Sequence, residues 1–222
     1  MDWLYRLHRD LALELMKIGC IKFGSFKLKL HEKNPDAPLS PIYIDLRLLR
    51  SYPTTRAKAV DAFRNMLECQ EFDLIADVPT AATPIVSILA HEMRVPMITP
   101  RNDNKGYGSM NKIDGVFRPD QTVVLIDDLI TKADSKLEAI KTLEEHRLKV
   151  KVVVVLVDRE QGGEQQLKSL KGISCLTVFT LTDLIDLYLA AGQISPDEHE
   201  KVVSYMRSQK IQDAEQGSSG IG

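Results

Sequence analysis

The sequence predicts an α/β protein built on an open, mostly parallel sheet. Three observations carry that expectation. From residue 72 onward, short apolar runs alternate with amphipathic stretches of helical period. One run, VKVVVVLVD at 150–158, is largely β-branched, as expected of a parallel strand buried on both faces. Charged residues collect where strands should end, at Arg101, Asp127-Asp128 and Asp158-Arg159. That edge is where open α/β sheets bind ligands.

Each element has its own justification. Leu4, Leu7, Leu11 and Leu15 fall on one helical stripe, with Gly19 as its stop. CIKFGSFKLKL (20–30) alternates from Phe26 onward and predicts a strand. HEKNPDAPL (31–39) is a polar, proline-bearing loop, and SPIYIDLR (40–47) is a second extended run. Residues 54–69 have helical character. FDLIADV (72–78) is a short buried strand, 82–93 a helix entered through Thr83-Pro84, and VPMITP (95–100) a strand. RNDNKGYGSMNKIDG (101–115) is polar, contains three glycines and is long for a compact domain, and such loops are usually functional or mobile. TVVLIDD (122–128) is a strand, and 134–146 is a helix with Leu137, Ile140 and Leu143 on one side. After 150–158 come a helix at 163–171, a strand at SCLTVF (174–179), and helices at 181–191 and 195–209. The expected organisation is a single domain over 1–209: an N-terminal hood (1–52), a core sheet (53–180) and C-terminal helices (181–209). A disordered tail is expected over 210–222.

Composition sets limits on function. The 222 residues are 44% hydrophobic and 27% charged, an ordinary globular balance. A formal net charge of −2 gives no general attraction to nucleic acid or to acidic membranes. No apolar run is long enough for a membrane span, and MDWLYRLHRD has no signal-peptide core, so a cytoplasmic location is expected. Cys20, Cys69 and Cys175 lie far apart and form no CxxC pair, and the five histidines show no ligand spacing.

VVLIDDLITKADSK (123–136) is where the chemistry concentrates. Two adjacent carboxylates at the end of a buried strand are costly unless something uses them. Asp127 and Asp128 suit a divalent metal or a sugar diol. The turn that follows opens a helix, whose N-terminal amides form an anion site to which Thr131 and Ser135 add hydroxyl donors. A diol binder joined to a phosphate binder describes a ribose 5-phosphate site. It is not a Walker A loop, because GxxxxGKS/T is absent. An N-capped helix behind a solvated Asp pair is the bland alternative.

The order of hydrophobic run, Asp-Asp, two apolar residues and Thr entering a helix resembles the phosphoribosyl-pyrophosphate (PRPP) motif of type I phosphoribosyltransferases. FGSFKLK (23–29), SPIYIDLR (40–47), RNDNKGYG (101–108) and VDREQGG (157–163) narrow that resemblance. Together they resemble the orotate phosphoribosyltransferase family, including the version fused in uridine monophosphate synthases, over about residues 5–205. The resemblance implies the type I phosphoribosyltransferase fold: a mostly parallel central sheet flanked by helices, a small hood of helix and β-hairpin, and a flexible catalytic loop. It implies transfer of ribose 5-phosphate from PRPP to orotate, giving orotidine 5′-monophosphate and pyrophosphate in pyrimidine biosynthesis.

Residue roles follow from the same resemblance. Asp127 and Asp128 would meet the ribose hydroxyls, and the turn of Thr131, Lys132, Ala133, Asp134 and Ser135 the 5-phosphate. Arg101, Lys29 and Tyr107 would also meet PRPP. Lys105 would cover the departing pyrophosphate from the neighbouring subunit of a homodimer with shared active sites. Tyr43, Ile44, Thr131 and Arg159 would hold orotate. Mg²⁺ would be bound through PRPP, with no direct protein ligand, and a separate orotidine monophosphate decarboxylase is a further partner.

The chain departs from the family's pattern in places. Lys132 and Ala133 stand where relatives have a small residue and then glycine. Asn102 stands in place of a lysine, and Gly106 in place of an acid. In ADVPTAATP (76–84), Asp77 replaces glycine and Thr80 replaces tyrosine. HEKNPDAPL lengthens the first hairpin. Two classes of function follow: an active orotate phosphoribosyltransferase, or a weakly active or inactive relative that binds PRPP or nucleotide as a sensor or partner subunit.

Overall fold

The computed structural model describes residues 2–32, 34–101 and 112–218, and of 2–5, 29–30 and 210–218 the backbone alone. Helix α1 (Asp2–Lys17) stops at Gly19, whose φ of 79° suits glycine. Strands β1 (Ile21–Phe26) and β2 (Ser40–Ile44) form a separate antiparallel pair, with Ile21 opposite Ile44 and Phe23 opposite Ile42. The first strand therefore lies within the run expected over 20–30 but ends at Phe26, short of the alternating Lys27–Leu30. His31 is the reason. Its Nδ1 accepts the Leu28 N–H at 2.9 Å, and its own N–H donates to the Leu28 carbonyl at 2.9 Å. Those local bonds turn the chain into a 3-10 helix, Lys29–Glu32, in competition with the ladder. A second 3-10 helix, Leu46–Ser51, ends the other extended run early because the Asp45 carboxylate caps it through the Arg47 N–H at 3.2 Å.

The central sheet contains β3 (Leu74–Asp77), β4 (Met97–Pro100), β5 (Ile113–Asp114), β6 (Thr122–Ile130), β7 (Lys149–Asp158) and β8 (Ser174–Thr180). Their order is β5-β4-β3-β6-β7-β8, parallel except for β5 against β4. The two-residue β5 has no periodicity to announce it. The α/β architecture and the mostly parallel sheet agree with the sequence reading. Helices α2 (Pro53–Leu67), α3 (Thr83–Met93) and α6 (Leu181–Ala190) pack with α1 on one face, around Leu15, Phe63, Leu89 and Tyr188. Helices α4 (Asp134–Glu145) and α5 (Gly163–Lys171) cover the other, around Ile140, Leu143 and Leu167. Strand β7 feeds both cores in alternation, Val152 and Val154 to the first, Val153 and Val155 to the second.

Helix α7 (Pro196–Ser218) packs against β2 and so joins the hood to the C-terminal segment. Its helical backbone runs into the stretch expected to be a disordered tail. IQDAEQ is rich in helix formers, and extending an existing helix avoids the cost of nucleation. Among the described residues, no helix is long and apolar enough to cross a membrane.

Candidate active site at the carboxyl edge of the sheet

The connections reverse direction between β3 and β6: α3 leads from β3 to β4 on one side, and α4 from β6 to β7 on the other. A crevice is expected at such a switch point. The strand lengths open it. β3 pairs with β6 only as far as Asp77 opposite Ile126, whereas β7 follows β6 to Ile130. Residues 127–130 therefore stand beyond the end of β3.

Asp127 and Asp128 share this overhang but face different surroundings. The Asp127 side chain is 7% exposed. Its Oδ2 lies 2.5 Å from Lys136 Nζ, and its Oδ1 accepts the Asp128 N–H at 2.8 Å. Lys136, itself 4% exposed in its side chain, also donates to the Leu129 carbonyl at 2.5 Å. Asp128 is half-buried and, among the described residues, has no ion-pair partner. Burial, and then the charge of Asp127 beside it, push its pKa up to about 7. Sequence reasoning missed Lys136. The signal was there: Lys136, Ile140 and Leu143 share the spacing of the buried face of α4.

The turn expected to meet phosphate follows directly. Lys132, Asp134 and Ser135 are exposed, Thr131 is half-buried and Ala133 is buried. Ala133 has φ −87° and ψ 8°, a conformation open to any L-residue, so the absent glycine leaves no backbone strain here. Its N–H donates to Gln166 Oε1 at 2.8 Å, which ties the turn to α5. At the start of α5, a Cβ on Gly163 would lie 2.5 Å from Ile130 Cγ1 and 2.8 Å from the Thr131 carbonyl oxygen. Glycine is needed here for close approach.

The other strand ends supply cations and a second turn. Arg101 is half-buried, and its Nη1 lies 3.3 Å from Asp114. Its N–H donates to the Lys112 carbonyl at 2.7 Å, pinning together the base of the loop predicted at 101–115. Asn102, Lys105, Gly106 and Tyr107 lie outside the described residues. At the end of β3, Asp77 is fully buried and accepts hydroxyl bonds from Thr99, at 2.5 Å, and from Thr83. It thereby joins β3, β4 and the start of α3. Arg50 of the hood donates to the Thr80 carbonyl in the same turn.

Arg159 follows β7 and is 7% exposed. Its N–H donates to the Ile130 carbonyl at 2.9 Å, so it is held against the end of β6. Among the described residues its buried Nε has no hydrogen-bond partner, and burial lowers its pKa from the ordinary value. A buried guanidinium with an idle donor is a costly arrangement in the absence of a ligand.

On the hood, the ring of Tyr43 lies 5.5 Å from that of Phe26, tilted by 31°. Tyr43 shares an open cleft with Leu28, His31 and Arg47. Ile44 packs into the core instead, because neighbouring strand residues point to opposite faces, so the two do not form one wall. Of Lys29 the structure describes only the backbone, in the first 3-10 helix. Arg47 was not anticipated. Its Nε and Nη2 bond the two Asp45 oxygens at 2.7 and 2.8 Å, and its pKa is raised by that pair first and by Tyr43 and Asp128 after it. The hood thus brings a cation toward the Asp-Asp strand end.

No protein-family model matches the chain. Among curated proteins, it is 34% identical over 174 residues to the orotate phosphoribosyltransferase of Methanopyrus kandleri, covering 78% of this chain and 90% of that one. The chain belongs to the orotate phosphoribosyltransferase family. Its fold agrees with solved members. The Leishmania donovani UMP synthase structure matches with a TM-score of 0.79 and 34% identity over 90% of this chain and 42% of that one. The Aeropyrum pernix orotate phosphoribosyltransferase matches with a TM-score of 0.71 and 26% identity over 83% and 99%. Against the bifunctional PyrF/PyrE enzyme of Nostoc and the uridine 5′-monophosphate synthases of Bos taurus and Caenorhabditis elegans, the chain spans 38–40% of the relative's length.

Proposed function

We propose that this protein is an active orotate phosphoribosyltransferase, a pentosyltransferase of pyrimidine biosynthesis that makes orotidine 5′-monophosphate and pyrophosphate from PRPP and orotate. The observation that carries this reading beyond family membership is Arg159. A buried guanidinium with an unpartnered Nε, hydrogen-bonded through its backbone to the Asp-Asp strand end, suits a planar anion placed beside a ribose.

The residues divide the work. Asp128 accepts the ribose hydroxyls. The helix start after Ala133, with Thr131 and Ser135, takes the 5-phosphate. Arg101 neutralises pyrophosphate, and Tyr43 and Arg159 orient the pyrimidine. Lys105 covers the pyrophosphate from a second copy of the chain, which makes the working form a homodimer. Rate enhancement comes from positioning, charge neutralisation and exclusion of water rather than from a covalent nucleophile.

Mg²⁺ would come with PRPP and supply charge neutralisation to its phosphates, with no direct ligand assigned to this chain. With Asp127 spent on Lys136, the strand end offers no pair of free carboxylates for an all-protein cage, which fits an ion carried by its substrate. A cytoplasmic location and hand-over of the product to an orotidine monophosphate decarboxylase complete the reading. The test is pyrophosphate release with Mg²⁺, PRPP and orotate, with uracil and hypoxanthine as control acceptors. Orotate-dependent release abolished by Lys105→Ala is the expected result. Absence of release with every acceptor would overturn the proposal in favour of a binding protein.

A further inference from the structure

We infer that Lys136 is a positioning residue that divides the labour of the Asp-Asp pair: it locks Asp127 inside the protein and leaves Asp128 as the carboxylate that meets the ribose. The inference rests on the PRPP-binding reading above and goes beyond it, because the family resemblance gives both acids to the ribose and assigns nothing to position 136.

The geometry carries the argument. Asp127 directs one oxygen to Lys136 and the other to the Asp128 amide. Its side chain is 7% exposed, so little of it can reach a ligand. Lys136 has no route outward either, since Nζ is bonded to Asp127 and to the Leu129 carbonyl, both on β6. These bonds lash the first turn of α4 to the strand on either side of Asp128. A lysine in place of an apolar residue at this buried position is costly unless the charge is used.

Among the described residues, charges acting on Asp128 come from Asp127 beside it on β6, Lys136 from α4 and Arg47 from the hood. Cys175 on β8 also feels the charge of Lys136. Burial and Asp127 push the Asp128 pKa up, and Lys136 opposes them. Without Lys136, two carboxylates on successive residues would share one buried site, and the proton taken up would compete with the ribose.

The experiment compares wild type, Lys136→Met and the double variant Asp127→Asn/Lys136→Met. Readouts are PRPP binding by calorimetry with Mg²⁺ and the pH profile of pyrophosphate release. Lys136→Met should move the acid limb upward by about one unit or more, which weakens PRPP binding about fivefold or more at pH 7 and much less at pH 8.5. The double variant removes both charges and keeps Asp128, so its PRPP affinity should return to within about threefold of wild type. A double variant that binds PRPP tenfold or more weakly at both pH values would show that Asp127 itself touches substrate and would overturn the inference. Should neither variant fold, ¹³C carboxylate shifts of the wild-type protein decide: PRPP should move Asp128 and leave Asp127 in place, and the reverse refutes the idea. Wild-type protein that does not bind PRPP at all would sink the underlying functional reading instead.

Discussion

Gly163→Ala separates a packing role from a backbone role at the phosphate turn. The added Cβ would sit 2.5 Å from Ile130 Cγ1, 2.7 Å from Ile130 Cδ1 and 2.8 Å from the Thr131 carbonyl oxygen. Carbon contacts settle at about 3.5–4.0 Å, so α5 and the strand end must part by roughly 1 Å. Ile130 is fully buried and the Thr131 contact is backbone, so neither yields easily. Overpacking of this kind costs about 1–3 kcal/mol. Replacing glycine by alanine in a helix returns up to about 1 kcal/mol, which leaves a net loss of roughly 0–2 kcal/mol. Function should suffer more than stability. Thr131 opens the phosphate turn, Gln166 on the same helix holds the Ala133 amide, and a misplacement of about 1 Å can cost roughly 100-fold in rate. Urea unfolding and initial rates of pyrophosphate release across PRPP concentrations measure the two effects. Gly172→Ala, at the other end of α5, is the control. Its φ is +66° and a Cβ there meets nothing within 4 Å, so it should lose about 1–2 kcal/mol of stability with unchanged PRPP dependence. Wild-type PRPP kinetics in Gly163→Ala, or an equal kinetic loss in Gly172→Ala, would refute the reasoning.

The remaining predictions concern Asp128 and Asp77. Asp128→Asn should lower kcat/KM for PRPP by roughly 10- to 100-fold, the scale of a charge-assisted hydrogen bond. Wild-type activity should fall as pH drops through about 7, where Asp128 takes up its proton, and the variant should lack that limb. The raised pKa also has a stability sign. Between the ordinary carboxylate value and about 7, the folded protein holds a proton that the unfolded chain has lost, so this group makes folding less favourable as pH rises through that window; in Asp128→Asn the slope should disappear from denaturation midpoints. Asp77→Ala leaves the hydroxyls of Thr83 and Thr99 without their acceptor, at about 1–3 kcal/mol for each that stays unsatisfied. Because Thr99 precedes Arg101 by two residues, the same variant should raise the KM for PRPP; unchanged stability and KM would show that Asp77 does not organise the turn.

Residue pattern and structure agree where the information is local. The run at 150–158 announces β7 because its residues feed two cores in alternation, a property of the strand alone. Asp127-Asp128, Arg101 and Arg159 were readable as strand-end residues because each follows or closes an apolar run. What was not readable depends on reach between segments. Gln166 bonds Ala133 from 33 residues away, and Asp77 bonds Thr99 from 22 away. No periodicity encodes either. The hood misled for a related reason. Lys27-Leu28-Lys29-Leu30 alternates as a strand should, but a single histidine ring bonded to Leu28, with its Nε2 3.1 Å from the Ala37 carbonyl, makes a compact turn the better arrangement.

The turn proposed to take the 5-phosphate shows why a missing glycine need not mean a missing site. Glycine serves two separate ends: it permits positive φ, and it lets two backbones come close. At Ala133 the first is not required, since φ is −87°. The second is met from the opposite side of the contact, by Gly163, which lets α5 come within reach of Ile130 and Thr131. Gln166, one turn along the same helix, then holds the Ala133 amide. The turn is shaped by what packs behind it, so the residue that matters for close approach sits on α5 and not in the turn itself. On this argument Ala133→Gly should alter PRPP affinity less than Gly163→Ala does, although only the first restores the family's residue.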